Sequence, residues 1–156
     1  PLKLYKQMGL KIKKLSNFSY EINCKTLKPI KKISTKEFPG YPTDLQAQLI
    51  ATQLKSGLKS KVVENIFENR FIHIPELRRF GANLSIKGNT VTIDKTSNLL
   101  GAEVMATDIR ASFSLIIAAM MSRGKTVINR IYHLDRGYED FDLKLKKCGV
   151  NISRKK

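Results

Sequence analysis

The sequence has no tryptophan, two histidines and two cysteines, and only 13 acidic residues stand against 29 lysines and arginines. Cys24 and Cys148 lie far apart and fall in no Cys-x-x-Cys or Cys/His spacing. That excludes a disulfide framework and a cysteine-based metal centre, and predicts two ordinary reduced thiols. Long apolar runs are missing too. The longest mostly apolar stretch, Phe113 to Met121, sits between Arg110 and Arg123 and is far too short to cross a bilayer. The first residues, PLKLYKQMG, hold no apolar signal region. These absences predict a soluble, cytoplasmic protein with no membrane partner. No Ser/His/Asp constellation, Walker A loop or GxGxxG motif occurs, which argues against hydrolase, P-loop and Rossmann chemistry.

What remains is a chain of 156 residues with 42% hydrophobic content, enough for one domain with a real core. Net charge is +16. Residues 1–36 carry ten lysines and one acidic residue, Glu21, a surplus of 10 − 1 = 9. Such a surplus points to polyanions, an anionic substrate or simply a solvated lysine face. RNA-binding signatures are missing: no aromatic RNP-like run, no GXXG loop beside a basic helix, no RGG tract. A basic polyanion- or RNA-binding module is therefore the second reading. Pro1 stands where an initiator Met would, which suggests a chain beginning partway through a longer polypeptide.

Three stretches share one form: KQMGLKIKK, RRFGANLSI and KKCGVNISR. Each reads as a cationic last helical turn, a glycine cap (Gly9, Gly81, Gly149) and an alternating strand. Between them a second order of elements repeats. YPTDLQAQ and MATDIRAS place Asp44 and Asp108 at helix starts, 108 − 44 = 64 residues apart. Thr43 reads as an N-cap with Gln46 closing a capping box, and Thr107 as the cap of the second helix. Leu45, Leu49, Ile50, Leu54 and Leu58 form the apolar face of the first helix; the second runs from Asp108 to about Ser122. Strands are predicted at Lys61–Phe67 and Lys125–Ile131. A short helix opening at Pro75 and another in FDLKLKKC follow them. NLSIK–Gly88–Asn89–TVTID reads as a hairpin, and VNIS as the last strand. The fold class is α/β (α+β), made of repeated strand-helix-strand-helix-strand-strand units. Residues 1–37 end a preceding unit and supply linking strands, 38–94 form one unit and 95–156 another, all within one partial domain.

Each unit pairs an Asp at a helix start with an Arg after the next strand: Asp44 with Arg70, Asp108 with Arg136. Arg110 adds a further guanidinium. The planar fork of Arg suits carboxylates and phosphates, and an Asp among such groups can act as a base once substrate is in place. This predicts a site for an anionic substrate with one or two working carboxylates. His73 and His133 are read as loop histidines bonded to backbone, and Met105, Met120 and Met121 as core packing.

FPGYPTDLQAQ, ENIFENRFIHIPELRRFGA, LLGAEVMATDIRAS and INRIYHLDRGYEDFDLKLKKCGV resemble the UDP-N-acetylglucosamine 1-carboxyvinyltransferases, or UDP-N-acetylglucosamine enolpyruvyl transferases, of the enolpyruvate transferase family. The resemblance spans roughly Phe38 to Ser153. It implies a fold of two similar domains, each of three repeated units around buried parallel helices. It implies transfer of the enolpyruvyl group of phosphoenolpyruvate to the 3-hydroxyl of UDP-N-acetylglucosamine in peptidoglycan precursor synthesis, with no metal or organic cofactor. By the same resemblance Asp44 is the base near the sugar 3-hydroxyl and also helps hold the sugar, and Ile66 contacts the nucleotide sugar. Arg70, Arg110 and Arg136 hold phosphoenolpyruvate, with Asp108 supporting them. More than half of the family's length, including a mobile loop with a reactive cysteine, would lie before Pro1. The resemblance therefore implies that a missing domain, or a separate chain supplying it, completes the site. An inactive remnant on the same scaffold is the further alternative.

Overall fold

The computed structural model describes residues 1–155. In chain order the elements are α1 (Leu2–Gln7), β1 (Lys11–Lys14), β2 (Tyr20–Asn23), β3 (Lys32–Ser34), a 3-10 turn (Thr43–Leu45), α2 (Gln46–Gln53), β4 (Ser60–Val63) and α3 (Ile74–Arg79). They continue with β5 (Leu84–Lys87), β6 (Thr90–Ile93), β7 (Glu103–Met105), α4 (Ile109–Met121), β8 (Val127–Asn129), α5 (Tyr132–Asp135) and α6 (Phe141–Lys147).

Two parallel strand pairs organise the chain. β3 pairs with β4 and β7 with β8, and each pair is bridged by a helix, as parallel neighbours require. In the first copy β6 adds antiparallel to β4 and β5 adds outside it, giving a four-stranded sheet in the order β3-β4-β6-β5. The predicted unit is therefore present there in full, and its opening strand lies before residue 38. The second sheet stops at β7-β8. The hairpin β1-β2 forms a sheet of its own.

The bridging helices α2 and α4 pack against each other. Small residues make this possible: Ala51 and Ala118 are fully buried. Ser112 and Ser114 are buried as well, and each hydroxyl donates to a carbonyl of its own helix, Asp108 and Ala111 respectively. Around this seam lie Leu49, Ile50 and Leu54 of the first copy, Leu115 of the second, and Ile74, Leu77 and Phe80 from α3 and its cap. Val62, Val91 and Ile93 cover it from the sheet. A smaller cluster joins Ile116, Leu134 and Phe141.

The three predicted glycine caps lie in the left-handed region, with φ of 95°, 83° and 89° at Gly9, Gly81 and Gly149. Gly101 has a different job. A Cβ there would stand 2.2 Å from the Lys125 carbonyl oxygen, because Gly101 donates its N–H to Arg123 O, which lies just past the end of α4. Backbone cannot yield as a side chain can. Gly101→Ala is expected to cost about 3 kcal/mol, more than Gly81→Ala, which has room for a Cβ, with no atom closer than 3.6 Å, and costs about 1 kcal/mol for its left-handed φ. Urea denaturation of both variants measures the order, and a reversed order would contradict the close approach.

Several boundaries differ from the expectation. α2 ends at Gln53, so Leu58 lies beyond it and is exposed. The strand predicted to reach Phe67 ends at Val63, where Glu64 folds back onto the amides that follow it. The strand predicted over Lys125–Ile131 shrinks to β8, and the loop after it holds the short α5. VNIS forms no strand. The matching segment GANLS leads into β5 because β6 supplies its ladder; among the described residues VNIS has no such neighbour, and a lone strand leaves its backbone groups unpaired. Instead Gly149 to Lys155 and Gly124 to Arg130 face each other across a cavity of about 1200 Å³. Met105 and Met120 are exposed rather than core; of the three methionines only Met121 packs on the main cluster.

Candidate active site

Both Thr-Asp pairs open bridging helices, but the two aspartates act differently. Asp108 is the N-cap of α4: extended at φ −154° and ψ 172°, it accepts the N–H groups of Arg110 and Ala111 at 2.8 and 2.9 Å. The predicted cap, Thr107, makes no hydrogen bond with its own hydroxyl. At α2 the predicted capping box does not form. Thr43–Leu45 is a 3-10 turn without a side-chain cap, and the Gln46 amide nitrogen is buried without a partner. The Thr43 hydroxyl instead donates to Glu64 Oε2 at 2.8 Å. A buried carboxylate needs donors more than an exposed helix start needs an acceptor.

Released from capping, the Asp44 carboxylate lies 2.6 Å from Arg110 Nε and 3.5 Å from Arg70 Nη1. It thus bridges the two copies, since Arg70 follows β4 and Arg110 lies in the first turn of α4. Asp44 and Arg110 are largely open to solvent, whereas the Arg70 side chain is only 20% exposed. The Arg70 guanidinium lies over the Phe67 ring, 4.4 Å from its centroid, at a turn where Asn69 is left-handed with φ of 55°. Behind these groups opens a cleft of about 260 Å³, lined among others by Thr43, Gln46, Arg70, His73, Asp108 and Arg110. Two helix entries and two guanidiniums, with the exposed Glu68 in the lining and the Asp44 carboxylate paired to both arginines just outside it, give the cleft the chemistry of an anion site with a proton acceptor at the rim.

Two predicted residues stand apart. Ile66 is half-buried and binds Glu64 through its N–H, and it does not line the cleft. Arg136 is exposed on the turn after α5 and forms no ion pair among the described residues. Its neighbour Gly137 abuts Ile109, the first residue of α4, with space for a Cβ only 3.0 Å from the Ile109 Cγ2. Arg136 therefore sits beside the Arg110 turn but outside the bridged cluster.

Glu64 was not foreseen. It is 3% exposed and accepts four hydrogen bonds: from the Thr35 and Thr43 hydroxyls, each at 2.8 Å, and from the Ile66 and Phe67 amides at 2.9 and 3.2 Å. A signal existed in the strand alternation. Ser60, Val62 and Glu64 share one face, and all three are buried.

His73 is 1% exposed, bonded to the Arg70 backbone as expected, with Nε2 unpartnered. Burial pushes it down to about 4, against the opposing pull of Asp108. The imidazole is therefore folded in its neutral form, while the unfolded chain protonates near the ordinary value. Its stabilisation is complete above about pH 6.5 and is lost as pH falls towards 4, on the order of 3 kcal/mol. Chemical denaturation at pH 7 and pH 4.5 reads this. A His73→Gln variant is expected to flatten that part of the profile.

An α/β repeat that gathers guanidiniums around a carboxylate between two bridged helix entries is an anion-handling scaffold. The family model described as EPSP synthase (3-phosphoshikimate 1-carboxyvinyltransferase) matches residues 2–145, and the chain belongs to that family. It is 57% identical over 122 residues to a UDP-N-acetylglucosamine 1-carboxyvinyltransferase of Rhodopseudomonas palustris (strain TIE-1), covering 78% of this chain and 28% of that protein. It is 50% identical over 155 residues to the protein of that name from Pelagibacter ubique (strain HTCC1062), covering 98% of this chain and 36% of that one. The chain thus spans about a third of the length of the curated relatives it matches. Among solved structures, the enolpyruvyl transferase NikO from Streptomyces tendae superposes with a TM-score of 0.85 at 25% identity, over 97% of this chain and 35% of that one. EPSP synthase from Acinetobacter baumannii shares the fold with a TM-score of 0.71 at 15% identity, over 99% of this chain and 36% of that one. No helix among the described residues is long and apolar enough to cross a membrane.

Proposed function

We propose that this chain supplies one wall of an active site that transfers the enolpyruvyl group of phosphoenolpyruvate to the 3-hydroxyl of UDP-N-acetylglucosamine. The observation that carries this reading is the Asp44 carboxylate held between Arg70 and Arg110 at the mouth of the cleft. The two guanidiniums take the phosphate and carboxylate of phosphoenolpyruvate, and Arg136 closes on them from the turn beside Ile109. Asp108 fixes the Arg110 turn by capping it, and Ile66 meets the nucleotide sugar from the loop after β4.

When the anion takes over the guanidiniums, Asp44 is left free to accept the sugar hydroxyl proton. The oxygen bonds to C2 of phosphoenolpyruvate while C3 gains a proton. Loss of a proton from C3 then expels phosphate and restores the double bond. Arg70, Arg110 and Arg136 offset the negative charge of the tetrahedral intermediate.

The remaining length carried by the relatives, in the same polypeptide or as a separate chain, supplies the facing wall. The units that open at β3 and at β7 act as two repeat units of one partial domain, with the residues before β3 ending a third. The product enters cytoplasmic peptidoglycan precursor synthesis, and so serves cell-wall growth, cell shape and division. Titrating the 156-residue chain with phosphoenolpyruvate, followed by phosphorus NMR, tests the anion site directly. Binding that Arg110→Ala weakens by about 10-fold or more supports the reading; equal binding by both proteins removes Arg110 from it.

A further inference from the structure

We infer that Glu64 is a positioning residue that keeps Asp44 out of the helix cap and aimed at Arg70 and Arg110. The inference rests on the proposed role of those three residues, but its geometry stands without any ligand.

The two copies provide an internal comparison. Where Asp108 caps α4, the hydroxyl of the preceding Thr107 is unpartnered and no carboxylate reaches it. Where Asp44 does not cap, the hydroxyl of the preceding Thr43 is tied to Glu64. An Asp at a helix start has two competing uses for its carboxylate: the free N–H groups of its own helix, or outside cations. The first needs extended backbone, as at Asp108. The tie from Thr43 to Glu64 holds the chain in the 3-10 turn instead, and the carboxylate is left for the guanidiniums.

The same side chain holds the other half of the pair. Glu64 Oε1 accepts the Ile66 and Phe67 N–H groups, which sets the start of the loop carrying Arg70. Through Thr35 it also ties in the end of β3, since the Thr35 hydroxyl accepts from Asn65 N at 2.9 Å. One buried carboxylate therefore fixes where both Asp44 and Arg70 leave the sheet. The second copy has no counterpart: at the same offset of 64 residues stands Ile128, an apolar side chain packed on the main cluster.

The test uses nitrogen-15-labelled full chain without ligand. The Nε–H signals of Arg70 and Arg110 are assigned by Arg70→Lys and Arg110→Lys, and each is expected to move in Asp44→Asn. Glu64→Gln and Thr43→Val are then expected to move the same signals in the same direction. In each combination with Asp44→Asn they should add little, because both act through Asp44. Amide exchange at Ile66 and Phe67 should speed up about tenfold in Glu64→Gln, and not in Thr43→Val. Thr43→Val loses only one half-buried hydroxyl, so it carries the test if Glu64→Gln does not fold. Arginine signals that stay in place in Thr43→Val overturn the inference. The expected shifts in the variants of a parent chain that binds no phosphoenolpyruvate would instead defeat the functional reading and leave Glu64's role intact.

Discussion

Asp44→Asn is expected to lower kcat for enolpyruvyl transfer by about 10²- to 10⁴-fold, the span of a lost general base, in a protein that joins this chain to the remaining length its relatives carry. Asn keeps the size of the side chain and can still accept a hydrogen bond from Arg110 Nε. What it loses is the charge and the capacity to take a proton. If Asp44 only anchored the two arginines, the substitution would act mainly on KM for phosphoenolpyruvate, because the guanidiniums would lose their resting partner but not their ligand. If Asp44 takes the hydroxyl proton, kcat falls and KM for the anion changes little. Steady-state phosphate release, with each substrate varied in turn, separates the two. A kcat within threefold of the parent would remove Asp44 from the role of base.

Phe80→Ala is expected to cost about 3–5 kcal/mol of folding stability, the largest effect of any single truncation in this core. Phe80 is fully buried just past α3 and packs into the cluster that also holds α2 and α4. Its carbonyl receives the Leu100 N–H, so it also ties the first copy to the lead-in of β7. For a chain of this size the loss corresponds to a melting temperature lower by roughly 10 °C. A fall of less than 2 °C in a thermal melt would show that the corner repacks. The variant also has a functional reading: α3 follows the Arg70 loop, so a loosened cap should widen that loop's exchange before the protein unfolds.

Much of this architecture was legible because it follows from local chemistry. Glycine after a cationic helical turn forecast all three left-handed caps, and Gly88-Asn89 forecast the β5-β6 hairpin. Pro75 marked the start of α3 to within a residue. Asp44, Arg70 and Arg110 were singled out as an anion cluster, and they lie together. What could not be read were contacts that depend on distant segments. Thr43 looks like an N-cap in its own stretch of sequence; only the approach of Glu64, 21 positions on, gives its hydroxyl a better acceptor. VNIS alternates like a strand, but a strand exists only beside another. Arg136 matched Arg70 in the repeat, yet the inserted residues around α5 carry it to an exposed turn. The position of Met105 and Met120 on the outside likewise reflects what neighbours them, not their own hydrophobicity.

The cavity between β8 and the segment after Gly149 bears on how the isolated chain behaves in a tube. A strand edge with open backbone groups and half-exposed Val127 offers the same hydrogen bonds to any extended segment, from this molecule or another. What holds copies apart is the surplus of 16 positive charges, and that repulsion weakens as salt is added. A dilute, low-salt sample of the purified chain should therefore outlast a concentrated one in high salt, even though the folded core is identical in both.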